Sequence, residues 1–303
     1  MRYKTPNALE MAVKDAAKRS AQDTRRAISG FYFHRLLCRV FSLPGGRFVL
    51  KGGQGMLART VDARATRDID LLFKERSLDT ALEELKSAAS KDLGDFMQFA
   101  FEGAEPIKTE DEYRSGLNVR FAPLLGTKRL QPVSIDLVVD EVPLEDAELL
   151  APADRIEVEG IQTCDYLVYP VECALADKLC AMAERHEGRP SSRVKDLVDI
   201  LVYASNCEID GAKLSRRIAR ELGVRRLAVP ERFCVPPEWA GTYEKQFTKL
   251  VSQTGLRQKP GSIGEASETA ARLLDPALSG SADGKIWNPA KFEWTDPRRS
   301  EDA

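Results

Sequence analysis

One short segment, residues 47–73, restricts the possible folds more than any other part of the sequence. It contains a short apolar run, then Gly52 and Gly53, then a helical stretch and a loop, and finally Asp68 and Asp70 ahead of a second apolar run. Both apolar runs have the length and composition of buried strands. The segment therefore predicts a strand, a glycine turn, a short helix and a second strand that carries two acids near its start.

The glycine turn is suited to binding an anion. Backbone N–H groups at the start of a helix lack partners within the helix, and the helix dipole also favours negative charge there. Glycine allows a ligand to approach the backbone closely. An ordinary tight turn explains a pair of glycines about equally well, so the interpretation depends on the acids that follow.

Two other phosphate-binding motifs share glycines with this turn. The P-loop is excluded because no Lys-Ser or Lys-Thr pair follows the glycines. Residues 53–58 match G-x-G-x-x-A, the dinucleotide-binding fingerprint. That fold places its ribose-binding acid at the carboxyl end of the second strand, whereas Asp68 and Asp70 precede most of their strand. A Rossmann oxidoreductase is therefore a distant alternative.

The two acids suggest a metal site. Asp68 and Asp70 are two residues apart on the predicted strand, so both carboxylates project from one face. Neighbouring carboxylates repel unless a cation or a proton intervenes, and carboxylates with phosphate suit Mg²⁺. A solvated strand start is the alternative. Asp136 favours the interpretation as a metal site, because an acid inside an apolar strand is energetically costly unless it is paired or metal-bound. Three such acids suffice for two-metal phosphoryl transfer.

The rest of the chain changes character near residue 165, from mixed strands and helices to helices alone. We predict helices within 7–42 and at 77–92, with Ser77 as the N-cap of the latter. Further strands are expected at 95–102, 116–125 and 132–140 and near 155–161. Beyond Pro170, helices are predicted at 171–188, 191–206, 210–222, 236–253 and 264–274.

Several short segments, in this order, resemble a known family. They are LKGG (50–53), TRDIDL (66–71), IDL (135–137), ALADKLCA (174–181) and RVKDLVDI (193–200). Together they are similar to the AbiEii/AbiGii toxins, which are bacterial nucleotidyltransferase-like toxins of toxin–antitoxin systems and include the mycobacterial MenT toxins. The resemblance implies an α+β fold with a DNA polymerase β-like nucleotidyltransferase core, a mixed sheet, N-terminal helices and a helical C-terminal half.

The changes in character along the chain predict its division, and the resemblance implies an activity. Residues 1–165 would form the core with its N-terminal helices, 166–254 a helical domain that completes the active site, and 255–303 a polar extension. The expected activity is transfer of NMP from an NTP to RNA, at the 3′ acceptor end of tRNA, which blocks translation. Nucleotidylation of a protein or a small molecule on the same fold is one alternative, and a catalytically degenerate RNA-binding module is another.

Carried over residue by residue, the resemblance assigns roles to individual positions. Gly52 and Gly53 would bind the triphosphate, and Lys178 would reach it. One or two Mg²⁺ ions would be held by Asp68, Asp70 and Asp136. Asp196 matches a catalytic acid of the family, and Asp199 resembles the family pattern less closely. We also expect Lys51, Gln54 and Arg67 to contact the NTP. Gln54 stands where relatives carry Ser, and Arg67 lies with Arg59 and Arg64 between the turn and the acids. Thr66 occupies a position that is Ser in some relatives, which suggests regulatory phosphorylation.

A basic stretch within residues 213–232 predicts the RNA contact. The formal net charge is −2, so nucleic acid must be bound by a local patch. Spacing places Lys213, Arg216, Arg217 and Arg220 on one helix face, with Arg225 and Arg226 following. A solvated helix face explains this pattern equally well.

No apolar segment approaches 18 residues, and the six cysteines form no C-x-x-C pair. These features predict a cytoplasmic protein without a membrane or zinc association. The resemblance implies that the cytoplasm is bacterial, and we expect a monomer. Its expected partners are tRNA, an NTP, Mg²⁺ and a cognate antitoxin protein.

Overall fold

A computed structural model describes residues 2–43, 45–66, 68–107, 114–140, 146–186 and 188–297 of the chain. Two compact units are present. The first comprises Met1–Val61 and Ala65–Tyr169, and the second comprises Asp62–Arg64 together with the chain from Pro170 onward. Among the described residues, no helix is long and apolar enough to cross a membrane.

The first unit combines helices with a mixed sheet. Its helices are α1 (Pro6–Arg19), α2 (Thr24–Phe41), α3 (Gly52–Arg59) and α4 (Leu78–Ala89). Its strands are β1 (Phe48–Lys51), β2 (Asp68–Phe73), β3 (Met97–Pro106), β4 (Arg114–Leu125), β5 (Lys128–Arg129), β6 (Val133–Asp140), β7 (Glu148–Leu150) and β8 (Tyr166–Val168).

The sheet has the strand order β3-β4-β6-β2-β1-β8-β7, and β5 pairs with β4. Strands β2 and β6 are parallel, as are β1 and β8. The central pair β1 and β2 is antiparallel, and so are β4 and β6. A Rossmann fold requires a mostly parallel sheet, so the described strands exclude the dinucleotide-binding alternative.

The two faces of this sheet differ in polarity. Alternate residues of β2 and β6, such as Ile69, Leu71, Ile135 and Leu137, belong to the buried core of the first unit together with residues of α1, α2 and α4. The intervening residues project from the opposite face, because successive side chains of a strand alternate between faces. Asp68, Asp70 and Asp136 are among them, so the acids lie on the face opposite the helix-covered core.

Side-chain caps determine where several helices begin. The side chains of Thr5, Asp23 and Ser77 accept a hydrogen bond from a backbone N–H group in the first turn of α1, α2 and α4, respectively. Each bond satisfies one of the donors that a helix start leaves without a partner. The predicted N-cap at Ser77 is thereby confirmed.

The strand predicted near residues 155–161 does not form; residues 151–165 are irregular, between β7 and β8. Ile156 and Val158 are nevertheless buried in the core. The backbone between them and Ile161 turns, with the Ile161 N–H donating to the Val158 carbonyl at 3.1 Å. The alternating apolar pattern therefore indicates buried side chains, although these residues do not pair with another strand.

The second unit is mainly helical. Its helices are α5 (Val171–Ala183), α6 (Val194–Asn206), α7 (Gly211–Val224), α8 (Glu244–Ser252) and α9 (Ile263–Leu278), with a 3₁₀ turn at Pro237–Trp239. Short strands β9 (Arg185–His186) and β10 (Arg189–Pro190) form a hairpin. Strands β11 (Ile209–Asp210), β12 (Ile286–Asn288) and β13 (Glu293–Thr295) form a small antiparallel sheet.

Two predicted helices of this unit are shorter than expected. The helix predicted to end near Gly188 ends at Ala183, because Glu184 is extended and the chain then forms the β9–β10 hairpin. The helix predicted at 236–253 is a 3₁₀ turn followed by α8. Trp239 of that turn is fully buried, and its Nε1–H donates to the Ser191 carbonyl at 2.6 Å, which fixes the chain in a non-helical path.

The polar C-terminal stretch packs onto the helices of the second unit. Trp287 of β12 is fully buried and donates its Nε1–H to the Ala204 carbonyl of α6 at 2.8 Å. Trp294 of β13 donates in the same way to Leu273 of α9 at 3.2 Å. Two aromatic anchors therefore hold this stretch despite its high content of glycine, serine and proline.

Candidate active site

Four neighbouring strands of the first unit place polar residues side by side on one face of the sheet. The backbone register pairs Asn118 with Asp136, Asp136 with Asp70, and Asp70 with Lys51. Residues paired on adjacent strands point to the same face of a sheet. We call this set, Asn118, Asp136, Asp70 and Lys51, the polar row; it crosses β4, β6, β2 and β1.

The third predicted acid lies beside the polar row. Asp68 is two residues before Asp70 on β2 and is paired in register with Ser134 of β6, so it shares the face of the row. Asp68 is exposed, whereas Asp70 and Asp136 are half-buried. The structure thus brings the three acids predicted from the sequence onto one face of two adjacent parallel strands.

The glycine turn lies directly against this carboxylate group. Helix α3 begins at Gly52, which has a φ of +58°. A Cβ atom added to Gly52 would lie 1.8 Å from Oδ2 of Asp70, and one added to Gly53 would lie 2.8 Å from Cβ of Thr66. Only glycine fits both the left-handed backbone and the contact at position 52. No side-chain cap bonds the N–H groups at this helix start.

Lys51, the last member of the polar row, is a buried cation. Its side chain is packed over the ring of Tyr169, with Nζ 4.1 Å from the ring centroid. Tyr169 is itself fixed, because its backbone N–H donates to the Leu50 carbonyl at 2.9 Å. Aromatic faces attract cations, so this ring helps to hold the ammonium group of Lys51 on the side of the sheet that carries the acids.

The structure describes three of the four remaining predicted residues near the glycine turn. Gln54 is buried in the first turn of α3, and Arg67 lies outside the described residues. Thr66, the predicted regulatory residue, is half-buried, and its Oγ1 lies 3.5 Å from the Asp68 carbonyl. Arg59 contacts Glu148 at 2.8 and 2.9 Å and the Tyr169 carbonyl at 2.8 Å, so its guanidinium stabilises the first unit.

The donor atoms of the site suit a hard divalent cation that is shared with a substrate. Mg²⁺ is usually bound by one or two carboxylates plus water and phosphate oxygens, and Asp70 and Asp136 stand in register with Asp68 beside them. Within the described ranges, no three His, Cys, Asp or Glu side chains are grouped so that they could hold a metal ion by themselves. A cation at these acids would therefore need further ligands, such as water or the phosphates of a substrate.

A second cluster of predicted residues lies within the second unit. Lys178 of α5 donates to Asp196 Oδ1 at 3.1 Å and to Asp199 Oδ2 at 2.7 Å, both on α6. Arg193 also donates to Asp196, and Arg64 donates to both oxygens of Asp199 at 3.0 and 3.1 Å. Both acids are almost completely buried. Three cations and two acids therefore form one continuous network.

The ion pairs of this network overcome the effect of burial. Burial would lower the pKa of Lys178, but Asp199 and Asp196 raise that pKa above its ordinary value. Burial would raise the pKa of Asp196, but Lys178 and Arg193 lower it. Lys178 and Asp196 are therefore both charged at neutral pH.

Arg64 is the member of the network that the sequence pattern does not identify. The spacing of Asp196 and Asp199 indicates that both acids share one face of α6. Arg64, however, is 135 residues away from Asp199 in the chain. Its bidentate contact therefore depends on tertiary structure alone.

The predicted basic surface divides into exposed and internal residues. Lys213, Arg216, Arg220 and Arg226 are exposed. Arg217 is buried and contacts Glu221 Oε1 at 2.6 Å. The side chain of Arg225 is 2% exposed and contacts Glu221, Glu184 and Asp177. As a correction to the sequence-based set, Arg217 and Arg225 stabilise α7 and its surroundings and do not lie on an exposed basic face.

Comparisons with known proteins found one protein family and several similar solved structures. The family profile described as "Nucleotidyl transferase AbiEii toxin, Type IV TA system" matches residues 35–277, and no curated protein sequence matches significantly. MenT4, a nucleotidyltransferase toxin from Mycobacterium tuberculosis H37Rv, shares 16% sequence identity and a TM-score of 0.55, with 89% of each chain covered. JHP933 from Helicobacter pylori shares 14% identity and a TM-score of 0.43, covering 85% of this chain and 95% of its own.

The structural similarity to MenT4 shows a shared fold, which confirms the predicted nucleotidyltransferase core and mixed sheet. The family profile spans most of the sequence, including both glycines of the turn, all three acids of the first unit and the network of the second. The chain belongs to the AbiEii family of nucleotidyltransferase toxins of type IV toxin–antitoxin systems.

Proposed function

We propose that this toxin transfers NMP from an NTP to RNA, at the 3′ acceptor end of tRNA, in a Mg²⁺-dependent reaction that blocks translation. The contact between the glycine turn and Asp70 carries the proposal, because a Cβ at Gly52 would overlap the Asp70 carboxylate. A helix start attracts phosphate, and neighbouring carboxylates attract the cation that accompanies a triphosphate. The closeness of these two features within the first unit supports the proposal.

In this proposal, the backbone N–H groups of Gly52, Gly53 and Gln54 bind the triphosphate, and Lys51 adds positive charge. Asp68, Asp70 and Asp136 would hold one or two Mg²⁺ ions, which would supply positive charge beside the phosphates and the attacking hydroxyl group. The 3′-oxygen of the RNA forms a bond to the α-phosphorus and releases its proton to water. The bond between the α-phosphorus and the bridging oxygen breaks, and pyrophosphate leaves.

Two residues of the second unit are part of the same proposal. Lys178 is proposed to bind the triphosphate, and Asp196 is proposed to orient Lys178 or the attacking ribose. The hydrogen bond of 3.1 Å between them supports the orienting role. The raised pKa of Lys178, which Asp199 and Asp196 maintain against burial, supports a role that requires a permanent positive charge.

The RNA contact is proposed for the exposed basic residues of α7 and its C-terminal end, Lys213, Arg216, Arg220 and Arg226. Exposed cations suit the phosphate backbone of RNA. The family also implies an antitoxin partner. A tRNA with a modified 3′ end no longer accepts an amino acid, which would explain the proposed block of translation.

The experiment that tests this function is a labelling assay with separate acceptors. Purified protein is incubated with Mg²⁺, each α-labelled NTP in turn, and tRNA, other RNA, protein or small molecules. We expect label at the 3′ end of tRNA, and we expect EDTA to abolish it. Label that appears only on protein or on a small molecule would support the alternative transferase. Salt-sensitive tRNA binding that is indifferent to Mg²⁺ and to Asp68→Ala would support a non-catalytic RNA-binding module.

The glycine turn gives a sharp prediction for this activity. Gly52→Ala should reduce transfer at least about a hundredfold, because the new Cβ would lie 1.8 Å from Asp70 Oδ2 and the φ of +58° disfavours alanine. Gly30→Ala is the matched control, since a Cβ at Gly30 meets no atom within 4 Å. Alanine inside helix α2 should stabilise the fold by about 0.5–1 kcal/mol without affecting transfer. Full activity of Gly52→Ala would contradict the proposed role of the turn.

A further inference from the structure

The polar row contains one residue that the proposed chemistry has not used. Asn118 of β4 is paired in register with Asp136 of β6. Its Nδ2 lies 2.7 Å from Oδ1 of Asp136 and 2.8 Å from Oγ of Ser134. Asn118 is half-buried, so these two bonds form where competition from water is reduced.

Chemistry fixes the orientation of this amide. An ionised carboxylate only accepts hydrogen bonds, so the atom of Asn118 that faces Asp136 must be the nitrogen. The nitrogen has two N–H groups, and one is directed to Asp136 while the other is directed to Ser134. Both contacts are made to the same strand, β6, which holds the amide plane in place.

The contact with Asn118 restrains the carboxylate of Asp136, which has another acid as its neighbour on the adjacent strand. Asp136 has Asp70 as its register partner on the other side, and two neighbouring carboxylates tend to rotate away from each other because they repel. The amide fixes Oδ1 of Asp136 toward β4, which leaves Oδ2 for a cation. Groups that orient metal ligands in this way typically change metal affinity or activity about 10–100-fold when they are removed.

We propose that Asn118 is a positioning residue that holds the Asp136 carboxylate ready to bind the divalent cation. The inference rests on the proposed function, because it takes Asp136 as a ligand of that cation. Asn118 itself is neutral and contacts the ligand residue only, so it acts through Asp136 and Ser134 and not on the reacting atoms.

The test replaces the amide and measures cation binding without turnover. Asn118→Leu removes both N–H donors at similar size. Asn118→Ser, whose side chain is too short to reach Asp136, serves as a second variant if the leucine variant unfolds. Gln98→Leu is the matched control, because Gln98 is an exposed amide on the neighbouring strand β3. Mn²⁺, which suits carboxylate ligands, is titrated against each protein and followed by electron paramagnetic resonance.

We expect Asn118→Leu to weaken Mn²⁺ binding about tenfold or more and to lower kcat by a similar factor. At saturating Mg²⁺, the KM for NTP should stay within about twofold of wild type, because the glycine turn that binds the triphosphate is unchanged. Gln98→Leu should leave all three quantities unchanged.

A double substitution shows whether Asn118 acts through Asp136. In an Asp136→Ala background, Asn118→Leu should weaken residual Mn²⁺ binding no further. Wild-type Mn²⁺ affinity and kcat in Asn118→Leu would overturn the inference, as would an equal weakening in both backgrounds. Failure of the proposed function has a different signature: Asp70→Ala would then bind Mn²⁺ as tightly as wild type.

Discussion

Asp70→Ala is expected to abolish nucleotidyl transfer, with a fall in kcat of at least about a thousandfold. Asp70 occupies the centre of the polar row, paired with Lys51 on one side and Asp136 on the other. It is also the acid that contacts the glycine turn, since its Oδ2 lies where a Cβ of Gly52 would be. Removing this carboxylate therefore removes the group that connects the proposed cation with the proposed triphosphate.

The fold should tolerate the Asp70 substitution, because the side chain is half-buried on the polar face and not in the apolar core. Asp15→Ala is a suitable control, since Asp15 is an exposed acid on α1 that forms a long ion pair of 4.0 Å with Lys18. Label incorporation from NTP should be lost only in the Asp70 variant, while both variants keep the unfolding midpoint of wild type. Transfer by Asp70→Ala at the wild-type rate would refute the metal assignment.

Asp95→Asn is expected to lower the free energy of unfolding by about 3 kcal/mol or more. The carboxylate of Asp95 contacts Arg35 Nε at 2.6 Å and the guanidinium of Arg39 at 2.7 and 3.0 Å. All three side chains are at most 2% exposed. Asparagine preserves the shape of this cluster but leaves two buried guanidinium groups without a negative partner.

The contribution of Asp95 to the free energy of unfolding should depend on pH. Burial raises the pKa of Asp95, but the two arginines lower it, and its pKa is below the ordinary value of 3.8. The stabilisation from its charge is therefore complete above about pH 5 and is lost as the pH falls through the folded-state pKa. Asparagine does not titrate in this range. The difference in the free energy of unfolding between wild type and Asp95→Asn should therefore become smaller as the pH falls from about 5 to about 2.

Urea unfolding at pH 7 and at pH 3 measures this difference. Glu105→Gln is the control, because Glu105 and Arg120 form an exposed pair at 2.7 Å, and such pairs contribute less than about 1 kcal/mol. A stability gap for Asp95→Asn that is no larger than that of the control, or one that widens at low pH, would show that the buried cluster does not stabilise the first unit.

Local chemistry made the glycine turn and the acids predictable from the sequence. The order of apolar run, Gly52-Gly53 and Asp68-x-Asp70 encodes a turn and two carboxylates on one strand face, because strand geometry has a fixed period of two. What the sequence does not encode locally is which strands are neighbours. The pairing of Asp70 with Asp136 follows from the parallel contact of β2 with β6, and the role of Asn118 follows from the position of β4 beside them.

The predictions for the basic stretch were wrong for Arg217 and Arg225, whose side chains are buried. Helical spacing places Arg217 near Lys213 and Arg220 but does not reveal which side of α7 is covered by other elements. Arg225 finds its acids Glu184 and Asp177 at separations of 41 and 48 residues, so its burial depends on the packing of α5 against α7. In the same way, the alternation near residues 155–161 indicated buried side chains and could not reveal that no partner strand lies alongside.

The most direct test of the proposed site is sequencing of tRNA 3′ ends after incubation with Mg²⁺ and each NTP separately, with wild type and with Asp136→Asn in parallel. We predict added nucleotides at the 3′ end of tRNA with wild type and unchanged ends with Asp136→Asn, whose neutral amide cannot replace the carboxylate beside Asp70. Unchanged ends with folded wild-type protein in every NTP, or the same extension by Asp136→Asn, would contradict the proposal.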